Sequence, residues 1–109
     1  MIILMIIGDS MNESSSYLKK LEDFLGGTFH QDIDSPEEAL DEFIHEASKE
    51  CLLSTIKDCQ GFLNSTLTIQ KKESFIENNA EIYFPAISLN PIQWFNQIIE
   101  EMKKAVKMQ

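Results

Sequence analysis

The chain has 109 residues, 43% hydrophobic and 25% charged, with four glycines, three prolines and two cysteines; it supports one globular domain and excludes collagen-like, proline-rich and disulfide-scaffold architectures. Eighteen acids stand against nine lysines and no arginine, a net charge of −9, which removes the bidentate phosphate reader and argues against nucleic acid or an anionic membrane as partner. The excess is local: residues 30–50 hold eight acids and one lysine, whereas residues 51–109 hold six of each, so a basic partner is the natural inference and a merely solubilising surface the plainer one.

In chain order, Met1–Ile7 is an apolar run closed by Gly8, Asp9 and Ser10. It lacks a basic leader, is too short for a signal-peptide core with its cleavage site, and falls far below the ~20 residues that span a bilayer. It reads as a short strand, an ordered apolar arm, or an extension ahead of a start at Met11. The arm, taken as residues 1–13, is the favoured expectation, because seven exposed apolar residues would invite aggregation. Residues 14–109 read as the helical domain.

Within that domain, residues 14–25 align Tyr17, Leu18, Leu21, Phe24 and Leu25, and Gly26 is the expected stop. Gly27 to Asp34 then reads as a loop. The next helix has the strongest start signal: Ser35 as N-cap, Pro36 at the first helical position and Glu38 three residues after the cap. At 100° per residue, Ala39, Leu40, Phe43, Ile44 and Ala47 share an arc of roughly 140°, with Glu38, Asp41, Glu42 and His45 opposite and Glu37 and Glu46 at the margins. Ser48 can cap a third helix carrying Leu52, Leu53, Ile56, Cys59, Phe62 and Leu63. A shorter one covers 69–78, with Ile69, Phe75 and Ile76 expected inward. Within Ala80–Ser88, Ile82-Tyr83-Phe84-Pro85 reads as an extended stretch pairing with Met1–Ile7 or as a buried turn. The last helix opens with Asn90, Pro91 and Gln93, a capping box, and runs through Ile92, Phe95, Ile98, Ile99, Met102 and Val106 with Trp94 beside them. Some five helices on short connections predict a single small all-α domain, with a short N-terminal strand or arm as an addition.

Chemistry is sparse. Cys51 and Cys59 lie eight residues apart in one helix, roughly 12 Å at its rise per residue, too far for a disulfide; two unpaired thiols suit a reducing, cytoplasmic setting. His30, Asp32 and Asp34 form an isolated His-x-Asp-x-Asp cluster, short of the convergent ligands a metal needs and without the glycine and distal glutamate of a calcium loop. No phosphate loop, nucleophile elbow or His-Glu-x-x-His motif is present. No metal, no cofactor and no enzymatic activity are expected. Trp94 reads as a core residue, whereas Tyr17 and Tyr83 serve equally as core or interface anchors.

One stretch carries a resemblance. Leu21-Glu22-Asp23-Phe24-Leu25-Gly26-Gly27-Thr28-Phe29-His30-Gln31-Asp32, followed by Ser35-Pro36-Glu37-Glu38-Ala39-Leu40-Asp41-Glu42-Phe43, resembles the immunity proteins (CdiI-type) of contact-dependent growth inhibition systems. There a helix ending in Leu-Gly-Gly, a Phe-His-Gln-Asp loop and a Ser/Thr-Pro-Glu-Glu helix start recur in that order. Tyr83-Phe84-Pro85 and then Trp94 form a second, looser patch, and the whole spans about residues 17–102. Thr28 and Ile33 stand where aromatic residues are more usual.

The resemblance implies a cytoplasmic, mostly helical protein that binds the toxic C-terminal domain of a cell-surface effector, with a basic nuclease, an RNase above all, as the expected partner in a 1:1 complex. An acidic protein can occupy such an enzyme's cationic groove in place of RNA. The recurring Phe-His-Gln-Asp motif then reads as scaffold. The toxin-binding residues are expected on the outward face of the second helix, Glu38, Asp41, Glu42, His45 and Glu46, with Asp32 and Asp34 at its entrance. The alternative is an acidic adaptor or homo-oligomer without a toxin partner.

Overall fold

The computed structural model describes residues 17–30 and 33–108. The expected N-terminal arm, and with it the pairing of Met1–Ile7, lies outside the described residues. Among the described residues there are six helices and no strand, so the domain is all-α: α1 over 17–28, α2 Pro36–Glu46, α3 Lys49–Leu63, α4 Ile69–Asn79, α5 Phe84–Ile87 and α6 Pro91–Met108.

Side-chain caps start four of them. Ser35 Oγ accepts from the Glu38 amide at 3.1 Å, Ser48 Oγ from Cys51 at 3.0 Å and Thr68 Oγ1 from Lys71 at 3.2 Å. At α6 the box is reciprocal: Asn90 Oδ1 accepts from the Gln93 amide at 2.8 Å, and Gln93 Oε1 accepts from the Asn90 amide at 3.1 Å. Each cap satisfies an amide that the helix itself cannot.

The helix α6 is the hub. It packs against α2, α3 and α4 and buries Trp94, Phe95, Ile98, Ile99 and Met102. Two trains of aromatic rings meet on it. One runs Phe43–Phe24–Phe29–Trp94–Phe84, with centroid separations of 4.9, 5.8, 4.8 and 5.6 Å; the other runs Phe75–Phe62–Phe95, at 5.0 and 5.6 Å. These are the offset and edge-on distances at which ring quadrupoles attract. Trp94 is a core residue, as its position on α6 predicts.

Several expectations are corrected by packing. The first helix does not stop at Gly26: it runs through both glycines to residue 28, and no described glycine has a positive φ. The continuation lets the Phe29 amide donate to Leu25 O at 2.9 Å and carries the Phe29 ring into full burial between Phe24 and Trp94. Burying that ring is worth about 1.5–3 kcal/mol, comparable to the helix penalty of about 2 kcal/mol for the two glycines together. Ile69 is 67% and Leu53 47% exposed, against expectation. Ile69 is the first residue of α4, with no preceding turn to hold it against the core. The inward place next on that helix goes to Lys72, which lays its stem in the core and donates from Nζ to Leu63 O at 2.6 Å, closing the C-terminus of α3. Ala80–Ser88 is neither extended throughout nor a simple turn: Phe84–Ile87 makes one helical turn that ends on Ser88 in the left-handed region, φ 57°. The stretch is tied to the end of α1 by the Glu81 amide, which donates to Phe29 O at 2.8 Å.

Candidate binding surface

The start of α2 sets its rotation. With Ser35 as cap, Ala39 and Leu40 turn into the core, Phe43 and Ile44 are half-buried, and Glu37, Glu38, Asp41, Glu42, His45 and Glu46 are exposed. Asp34, just ahead of the cap, is exposed too. Six of the seven residues proposed from the sequence therefore lie on or beside one solvent-facing helix surface; the seventh, Asp32, lies outside the described residues.

Shallow depressions follow that surface. One of about 390 Å³ is lined by His30, Ile33, Asp34, Glu38, Ala39, Asp41 and Glu42. A smaller one of about 190 Å³ shares His30, Ile33, Ala39 and Glu42 with it and reaches Gly27 and Glu46. Another, bounded by Asp41, Glu42, His45 and Glu46, continues along the outer face. His30 stands exposed beside these carboxylates.

Among the described residues the charges on α2 meet no opposite partner. Among the described residues the ion pairs are Lys19–Asp23 at 3.6 Å, Lys103–Glu100 at 3.4 Å and Lys104–Glu101 at 3.3 Å, none involving α2. Along α2 the pairs Glu37/Asp41, Glu38/Glu42 and Glu42/Glu46 are like charges one turn apart, each costing about 0.2–0.5 kcal/mol. Glu37 and Glu38 recover part of that at the positive N-terminal end of the helix. A helix with five carboxylates that find no cation among the described residues is held in place by its apolar face, and its outer face keeps its field for whatever approaches.

Other reactive groups contribute little here. Among the described residues no group of three or more His, Cys, Asp or Glu could hold a metal ion. Both cysteines are free; Cys51 is exposed and Cys59 buried. Burial, with a smaller contribution from Asp58, pushes the Cys59 thiol up to about 12, which keeps it protonated and inert at neutral pH. Tyr83 is 74% exposed, on the segment hydrogen-bonded to Phe29. The sequence reading passed over a separate groove between α2 and α6 that includes Glu37; its only local signal was that Glu37 sits at the margin of the polar arc.

The fold and this surface define a small all-α domain whose scaffold is apolar and aromatic and whose one helix face is a field of carboxylates. The model of the CdiI immunity protein family matches residues 17–102, and the chain belongs to that family. Comparison with curated proteins and with solved structures found no match. Membership implies a toxin-neutralising role with a cognate toxin as partner. No helix among the described residues is long and apolar enough to cross a membrane.

Proposed function

We propose that the protein neutralises a basic nuclease toxin, an RNase in the first instance, by covering its cationic active-site region with the outer face of α2. The single observation that carries this reading is the run of exposed carboxylates Glu38, Asp41, Glu42 and Glu46, without a cationic partner among the described residues and flanked by Asp34 and His45. A nuclease that grips RNA must hold a row of phosphates with lysine or arginine. Carboxylates one helical turn apart offer that groove fixed negative charge without a scissile bond. The complex is 1:1, forms in the cytoplasm, and inhibits by occupancy rather than by catalysis.

Opposed fields also serve kinetics. A toxin must be captured before it acts, and complementary charge raises association towards about 10⁸ M⁻¹s⁻¹ at low salt.

The test is co-expression with the toxin domain encoded beside it, scored by growth, followed by affinity measurements at low and high salt. Wild type should rescue and bind 1:1, with affinity falling steeply as salt rises. Asp41→Lys with Glu42→Lys should weaken binding at least 100-fold while leaving helicity unchanged, because like charges set against each other across an interface cost several kcal/mol. Unchanged affinity in a folded double variant would refute this placement. Failure of the wild-type protein to rescue or bind, with self-association instead, would point to the adaptor or homo-oligomer.

A further inference from the structure

On the other flank of α2, a groove of about 330 Å³ opens between that helix and α6. Its floor is made of Leu40, Trp94 and Ile98, core residues exposed by 5, 4 and 3%, and the half-buried Ile87 and Leu89 ahead of α6 add apolar wall. Its rim carries Glu37 from α2 and Gln97 and Glu101 from α6, all exposed. The volume lies at the small end of the range for binding pockets, the scale of one long side chain rather than a folded element.

Floor and rim ask for different things. The floor gains from apolar contact; the rim gains from a cation and loses if its carboxylates are covered by hydrocarbon. A side chain with an apolar stem and a charged head answers both. Among such side chains arginine suits acceptors contributed by two different helices, because its planar head donates in several directions at once. Glu101 already meets Lys104 at 3.3 Å, but that pair is on the surface, with side-chain exposures of 55 and 70%, so it is weak and exchangeable. The positive end of α2 is offset locally by Glu37 and Glu38.

We propose that this groove seats a single arginine side chain of the toxin domain, its stem on Leu40, Trp94 and Ile98 and its guanidinium at Glu37, Gln97 and Glu101. The inference rests on the reading of the partner as a basic toxin, and it adds a buried anchor to a surface otherwise built of exposed charge. Anchors of this kind act mainly on dissociation, whereas exposed charge acts on association.

The experiment compares binding kinetics of the full chain and the toxin domain for wild type, for Glu37→Gln with Glu101→Gln, and for the charge-matched control Glu50→Gln with Glu77→Gln. The control residues are exposed and outside the groove. The groove pair should lose at least 10-fold in affinity, mostly through faster dissociation, and the control less than 3-fold. Equal losses in both pairs would mean that only the overall field matters and would overturn the proposal. An unchanged groove pair beside a tight wild-type complex would overturn it while leaving the proposed function standing; no wild-type complex would remove both. One competing occupant is internal. Trp94 is the chain's one tryptophan, so its emission in the free protein reports on the floor. Ile3→Asp with Ile6→Asp should leave that emission unchanged; a red shift would show that the apolar N-terminal segment fills the groove and would overturn the proposal.

Discussion

Replacing Gly27 by alanine separates two accounts of how α1 ends. If the helix stopped at Gly26, with Gly27 left-handed just past it, a side chain at position 27 would cost about 1–2 kcal/mol. In the structure residue 27 is helical and exposed, no described glycine has a positive φ, and a Cβ built on Gly27 meets nothing within 4 Å. Alanine there removes freedom from the unfolded chain at no cost to the folded one, a gain of about 0.5–1 kcal/mol. Gly61, in the last turn of α3, has the same open surroundings, and the two sites share no partner. Their gains should add to about 1–2 kcal/mol, raising Tm by about 4–8 °C per kcal/mol in a domain of this size. Urea denaturation followed by circular dichroism at 222 nm should show a higher midpoint at unchanged slope for each single variant and for the double. Gly26 is a useful contrast, since its added Cβ would lie 3.7 Å from Asn79 O, an ordinary contact, and its gain should be smaller. A loss of 1 kcal/mol or more in Gly27→Ala, with Gly61→Ala still stabilising, would refute the continuous helix and restore the glycine stop.

Phe29→Ala should cost about 3–5 kcal/mol by urea denaturation, because its fully buried ring joins Phe24 to Trp94. Phe29→Leu should cost less and, measured on folded protein, bind toxin within a few-fold of wild type; a large affinity loss in folded Phe29→Leu would move the motif from scaffold to interface. Thiol labelling at pH 8 should modify one cysteine, Cys51, in the native state and both in denaturant. Folded Cys59 holds its proton from the ordinary value of 9.0 up to about 12. Its contribution is therefore complete below pH 9 and is lost as pH rises from 9 towards 12, since the unfolded chain ionises first. Cys59→Ala should show a shallower alkaline decline in Tm than wild type, and parallel curves would contradict the assignment.

The starts of α2, α3 and α6 were legible because a cap is a local event. Ser35, Ser48 and Asn90 each bond an amide three residues on, and no distant residue is needed to read that. The two faces of α2 were legible for a similar reason, since rotation by 100° per residue is all that separates Leu40 from Glu42. The fate of single apolar residues was less so. Leu53 and Ile69 carry the right chemistry for a core, yet α6 covers the neighbouring faces of α3 and α4 and leaves these two in solvent.

By itself, then, the sequence determined that the protein is helical, where most helices begin, and that one of them carries an unbalanced acidic face, because capping, periodicity and charge act over a few consecutive residues. Tertiary structure alone decided that α1 continues through two glycines, that Lys72 rather than Ile69 turns inward, that residues 84–87 close into a helical turn, and that α2 and α6 leave a groove between them. Each of these depends on residues far away in the chain: Trp94 waiting for Phe29, the open carbonyl of Leu63, the hydrogen bond from Glu81 to Phe29, and two helices whose separation is set by the side chains that pack between them.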